Sequence, residues 1–236
     1  MPTLIDFIKN NMFVQNFYSF IFSRIPGVVE HNLGKHYQLR KAFFLTEIEK
    51  LEGDYFEFGI FTGSSFVFAM RFYRKLVSKK DRSCKFFGFD SFCGFGKITD
   101  ADKHPFYTDD TFSVSEHKIC NNIARHSGGL TFKVIKGFFE ESLKQTSLDK
   151  LGSKKARIIF IDCDLKAPSE IVLNFMKPAI QKGTILIMDD FFSYKGDPAL
   201  GVAGAFFEFE KQNPLIKWRF VGDYGFGGVS YICFQV

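Results

Sequence analysis

The sequence predicts a single α/β domain: a doubly wound, mostly parallel seven-stranded sheet with an antiparallel C-terminal strand and N-terminal helices. Three observations carry this expectation. From residue 55 onward, short apolar runs alternate with segments of helical period, as a parallel sheet with helical crossovers requires. The last two apolar runs are separated only by a turn containing Gly225, Gly227 and Gly228, which marks an antiparallel closing pair. The 236 residues suffice for one such domain with a well-buried core and are too few for two.

The elements follow in order. Residues 3–24 place Leu4, Phe7, Ile8, Met12, Phe17, Phe20 and Ile21 at mostly helical intervals, and Pro26-Gly27 stops the pattern. A second helix is expected over 37–51, ending at Gly53. The first strand is 55–60, with Glu57 as a lone carboxylate inside it. Further strands are expected at 85–90, 131–135, 157–162 and 184–189, and the closing pair at 217–222 and 228–235. Helices fit 64–78, 115–126, 138–146, 168–180 and 200–212. The boundary between an N-terminal helical extension and the sheet domain falls between residues 52 and 53, giving segments 1–52 and 53–236. The longest irregular stretch, 94–114, has the length of a substrate loop or lid.

Composition narrows the function classes. A hydrophobic share of 46% with 24% charged residues excludes disordered and fibrous classes. The 33 phenylalanines are read as packing, since aromatic side chains are first of all core material. The net charge of +5 is spread among 26 acidic residues with no basic patch, which argues against a nucleic-acid partner. Five dispersed cysteines (Cys84, Cys93, Cys120, Cys163, Cys233) signal neither a disulfide framework nor a zinc site, and fit a reducing cytoplasm. Neither a leader peptide nor a membrane-spanning run is seen. The Phe-rich N-terminal helix carries only Lys9 and Arg24 as basic residues, so internal packing or a homodimer contact is expected ahead of a membrane surface.

In an open parallel sheet, ligands bind outside the carboxyl ends of the strands, so strand-terminal residues carry the chemistry. The first strand runs into Gly59-Ile60-Phe61-Thr62-Gly63-Ser64-Ser65, a glycine-containing turn into a helix, without the G-x-G-x-x-G pattern of dinucleotide binding. The second ends in Asp90, 31 positions after Gly59, where a carboxylate can accept both hydroxyls of a ribose, or can simply cap a turn. The fourth ends at Asp162-Cys163-Asp164 and the fifth at Asp189-Asp190. One or two of these aspartates could cap following helices. Four together repel unless a hard cation such as Mg²⁺ lies among them, and such a cation would lower the pKa of a bound substrate hydroxyl.

Five segments together resemble the macrocin O-methyltransferase family within the class I methyltransferases dependent on S-adenosylmethionine (SAM). They are 56–65 (Phe-Glu-Phe-Gly-Ile-Phe-Thr-Gly-Ser-Ser), 87–95 (Phe-Gly-Phe-Asp-Ser-Phe-Cys-Gly-Phe), 136–143 (Lys-Gly-Phe-Phe-Glu-Glu-Ser-Leu), 161–165 and 188–191, with order and spacing agreeing over roughly residues 37–215. The resemblance implies a Rossmann-like fold and a SAM-binding domain over 53–236. It implies that Glu57, Gly59, Gly63, Ser64 and Ser65 contact the methionine part of SAM, that Asp90 binds the ribose with Ser91 nearby, and that Phe138, Phe139 and Glu140 flank adenine. It further implies Mg²⁺ on Asp162, Asp189 and Asp190, with Asp162 as general base and Asp164 in reserve. Phe191 and Lys166 stand where family members often carry Tyr, which bears on the acceptor and not on the cofactor.

The expected activity is O-methyl transfer to a hydroxyl of a sugar, glycan precursor or small natural product. The alternatives are N- or C-methyl transfer without metal, with the aspartates binding a cationic substrate, and a nucleoside-binding module without turnover. The histidines show no metal-ligand spacing and read as surface or capping residues. His104 is the exception, since it shares the 94–114 segment with Lys103, Tyr107, Asp109 and Asp110 and could act there as an acid or base.

Overall fold

The computed structural model describes residues 4–108 and 112–236; Asp109 and Asp110 of the expected substrate loop lie outside the described residues. Seven strands form one sheet: β1 (Asp54–Phe58), β2 (Phe86–Asp90), β3 (Phe132–Lys136), β4 (Ala156–Ile161), β5 (Ile185–Met188), β6 (Lys217–Tyr224) and β7 (Gly228–Gln235). Their spatial order is β3-β2-β1-β4-β5-β7-β6, and β7 alone runs antiparallel to its neighbours. The order reverses between β1 and β4, so the carboxyl ends of those strands face the crevice where ligands settle in such sheets.

Nine α-helices are described: α1 (Leu4–Asn10), α2 (Met12–Phe22), α3 (Gly27–Ile48), α4 (Ser64–Leu76), α5 (Glu116–His126), α6 (Phe139–Gln145), α7 (Leu148–Leu151), α8 (Lys166–Met176) and α9 (Gly201–Gln212). Because strand side chains alternate between faces, the central strands feed two separate cores. Phe56, Phe58, Ile159, Ile161, Leu186 and Met188 pack against α6, α8 and α9. Tyr55, Ile158, Phe160, Ile185 and Ile187 pack against α3, α4 and α5. The sheet register explains part of the phenylalanine content: Phe56 pairs with Phe87 and Phe58 with Phe89 on adjacent strands, and their rings stack at 5.0 and 4.5 Å. Cross-strand aromatic pairs of this kind stabilise a sheet beyond their buried area.

The N-terminal region departs from the sequence expectation. The single helix predicted over 3–24 is two, because the Asn11 side chain accepts hydrogen bonds from the backbone N–H groups of Phe13 and Val14 and caps α2. The second helix starts at Gly27, ten residues earlier than expected. Pro26 ends one pattern but also stands as N-cap of the next helix, with no N–H to leave unpaired. The inner face of α3 (Leu39, Ala42, Phe43) is part of the core, whereas α2 buries none of its residues. None of the helices is long and apolar enough to cross a membrane, among the described residues.

Candidate active site

A cavity of about 840 Å³ opens over the carboxyl ends of β1, β2, β4 and β5. Gly59 makes its floor possible. Its φ is +93°, and a Cβ there would collide with the Asp162 carbonyl oxygen, so only glycine lets β1 and β4 close up as the chain leaves the sheet. The Gly59 N–H donates to the Phe89 carbonyl and the Asp162 N–H to the Phe58 carbonyl, each at 2.8 Å, extending the ladders one step beyond the strands.

One half of the cavity is lined by Gly59, Phe61, Ser64, Ser65, Asp90, Ser91, Phe138, Phe139 and Glu140, which brings together most of the residues expected to bind the cofactor. Asp90 accepts backbone N–H groups from Phe61 (2.8 Å) and Phe92 (2.6 Å), one on each oxygen. Burial raises its carboxyl above the ordinary range, and these donors offset part of that. Glu57 and Gly63 lie behind the cavity wall. Glu57 is wholly enclosed and accepts hydrogen bonds from the Tyr55 and Ser65 hydroxyls. Burial pushes its carboxyl up to about 7, against those two hydrogen bonds.

The other half is acidic. Carboxylate oxygens of Asp162, Asp189 and Asp190 lie within 4.8 Å of one another. Asp164, the fourth strand-end carboxylate, faces Asp190, and its enclosure and that neighbour raise its carboxyl well above the ordinary range. Asp164 and Asp190 hold left-handed backbone conformations, with φ of 63° and 51°, as does Phe61 across the cavity at 44°. Such conformations cost about 1 kcal/mol or more at a non-glycine residue and cluster where a site fixes its side chains.

Two residues that the sequence pattern did not single out complete this half. Lys35 of α3 places its ammonium 2.8 Å from Asp162 Oδ2 and 2.6 Å from Asp189 Oδ2. One turn earlier, His31 places Nε2 at 3.1 Å from Asp189 Oδ2. The Phe226 N–H donates to His31 Nδ1 at 3.3 Å, which leaves the ring proton on Nε2, directed at Asp189. His31 is therefore a site residue, not the surface or capping group expected. Gly34 permits this approach, because a Cβ there would lie 2.5 Å from the Gly225 nitrogen in the β6–β7 turn. Burial opposes charge on Asp189, but Lys35 and His31 outweigh it and hold the carboxyl below its usual range. Asp162 moves the other way: its enclosure and the Asp189 and Asp190 charges raise it, and Lys35 offsets only part of this. Asp189 Oδ1, on a residue 2% exposed, makes no hydrogen bond of good geometry among the described residues, and the Tyr224 hydroxyl is its polar neighbour.

The expected substrate loop is tied down. Asp102 is buried, accepting the Lys166 N–H at 2.9 Å, while its carbonyl accepts the Tyr194 hydroxyl. Phe95, Lys97, Thr99, Phe106 and Phe112 from this segment line the cavity. His104 packs on the rings of Tyr107 and Tyr194 and is not among the lining residues.

A doubly wound sheet whose strand-end cavity opens at the point of reversal defines a Rossmann-like fold. The chain belongs to the macrocin-O-methyltransferase (TylF) family, whose sequence profile matches residues 32–215. Among solved structures it is similar to the O-methyltransferase NovP (17% identity, 86% of this chain and 80% of that one, TM-score 0.70). It is similar also to the calicheamicin methyltransferase CalS11 (17% identity, 98% and 86%, TM-score 0.71) and to an O-methyltransferase from Bacillus cereus in complex with SAH (18%, 84% and 80%, TM-score 0.54). At these identities the likeness is one of fold. No curated protein sequence gives a significant match.

Proposed function

We propose that the chain is a SAM-dependent, Mg²⁺-assisted O-methyltransferase acting on a hydroxyl of a sugar, glycan precursor or small natural product. The observation that carries this reading is the division of one cavity: a half built around Asp90 and the 59–65 turn, and an acidic half built on Asp162, Asp189 and Asp190. Membership of the macrocin-O-methyltransferase family supports a sugar-type acceptor.

SAM supplies an electrophilic methyl group, so the protein's task is to align an acceptor oxygen with it and take up that oxygen's proton. Asp90, with Ser91, holds the ribose; Phe138, Phe139 and Glu140 flank the adenine; and Gly59, Ser64 and Ser65 receive the methionine portion. Gly63 and Glu57 serve from behind, Gly63 by starting α4 and Glu57 by anchoring Ser65. Asp162 is the general base, since its enclosure among other carboxylates makes it a better proton acceptor than a solvated aspartate. Asp162, Asp189 and Asp190 fit a hard divalent cation: they are three oxygen donors in mutual reach, and Asp189 Oδ1 is buried without a hydrogen bond of good geometry. Mg²⁺ bound there would supply Lewis acidity that lowers the pKa of the acceptor hydroxyl.

Asp162→Asn tests the division of labour. Methyl transfer should fall by roughly 10²–10⁴ while SAM affinity stays within a few-fold. Asp90→Ala should instead weaken SAM binding. Equal losses of SAM affinity in the two variants would contradict it. A second reading, transfer without a metal, is favoured by the Lys35 ammonium already placed among the carboxylates. Loss of turnover in EDTA, restored by Mg²⁺, separates the two.

A further inference from the structure

The acidic half of the cavity holds a cation of its own. Lys35 reaches it from α3, a continuous helix whose Leu39, Ala42 and Phe43 are anchored in the core. Its side chain is 12% exposed, and the ammonium meets one oxygen of Asp162 and one of Asp189, two of the three carboxylates suited to a divalent ion. The four-carbon stem passes near Phe160, with Nζ 5.6 Å from the ring centre. His31 Nε2, 3.1 Å from Asp189 Oδ2, fixes Asp189 in place from the same helix.

An ammonium is a compact point charge with three donors, and it satisfies two carboxylates much as a small cation does. A divalent ion among these aspartates would share the Asp162 and Asp189 carboxylates with Lys35, and two cations held side by side would repel. On this ground, and resting on the metal-assisted reading above, we infer that Lys35 is the resident cation of the aspartate cluster, and that a divalent ion enters by displacing its ammonium from Asp162 and Asp189. Lys35 is thus a positioning residue for the reaction: it bridges the base and its neighbour in the metal-free enzyme and sets how tightly metal is held. Metal affinity is then reduced by the fraction of molecules in which Lys35 occupies the cluster, as for any ligand whose binding-competent state is a minority. The long, unbranched side chain can swing away without moving α3.

The test is titration of Mn²⁺ into the full chain, without SAM or acceptor, following free Mn²⁺ by electron paramagnetic resonance. Lys35→Met should bind Mn²⁺ at least about tenfold more tightly than the wild type, because the competing ammonium is gone. Lys35→Arg, which retains the charge, should bind no more tightly than the wild type. Lys97→Met is the control: Lys97 lines the same cavity but pairs with none of the three aspartates, so an equal loss of charge there should change affinity by less than about twofold. If Lys35→Met unfolds without metal, Lys35→Gln and a melting curve with and without Mn²⁺ replace it, the variant gaining more from Mn²⁺ than the wild type does. Equal Mn²⁺ affinity in wild type and Lys35→Met, or an equal gain in Lys97→Met, would overturn the inference. SAM binding is measured separately, so failure of the cofactor assignment would leave this result readable.

Discussion

At the scale of single residues, the carboxylates divide by environment more than by type. Asp162 and Asp189 end neighbouring strands, yet one is raised and the other lowered: burial and the neighbouring carboxylates outweigh Lys35 at Asp162, whereas Lys35 and His31 outweigh burial at Asp189. The strand-end aspartates were legible in the sequence because an acidic residue closing an apolar run is conspicuous. Lys35 and His31 were not, since a lysine and a histidine on a helix of mixed polarity look like a solvated face until the fold lays that helix across the strand ends. Glu57 offers an independent check. Folding raises its carboxyl from 4.5 to about 7, so the folded state binds the proton more tightly. Its contribution to stability is complete at acid pH and is lost as the pH rises through about 7, a change of about 2–3 kcal/mol between pH 5 and pH 8. Denaturant unfolding of wild type and Glu57→Gln at the two pH values should show the wild type losing that much more than the variant; parallel losses would show that Glu57 is not the group responsible.

At the scale of elements, the strands were read to within a residue or two, because unbroken apolar runs, buried on both faces, mark their course and aspartates close three of them. The helices of the sheet domain were placed with similar success. Apart from the one-turn α7, which was not expected, the failure lay at the N-terminus, where Asn11 splits one helix and Pro26 starts the next. Both residues were visible, but a proline read only as a stop gives no account of what it begins. The cost was functional, since the ten residues added to α3 include His31 and Lys35. The β1–α4 turn carries its own prediction. Gly59→Ala forces a Cβ into the Asp162 carbonyl at a left-handed φ, which must part the ends of β1 and β4. Destabilisation of roughly 1–3 kcal/mol is expected, together with loss of the cavity floor. A melting temperature equal to wild type would show that the strand ends yield more easily than their hydrogen bonds suggest.

At the scale of the whole molecule, the sheet with β7 reversed separates a rigid, doubly covered core from chemistry confined to one edge of the strands. Fold class and cavity position follow from the alternation of elements, but no feature of that alternation says what enters the cavity. That comes from the residues at strand ends and from the family to which the chain belongs. The apolar residues of α2 stand apart from this machinery: Phe13 is 80% exposed and α2 contributes nothing to the core of a single chain. In the function proposed above, the half-cavity around Asp90 is a SAM site whose construction does not depend on metal. Isothermal titration of SAM into the full chain, first with Mg²⁺ and then with EDTA, tests it most directly. Micromolar binding that changes by less than about twofold between the two conditions is the predicted result; no detectable SAM binding in either condition would contradict it.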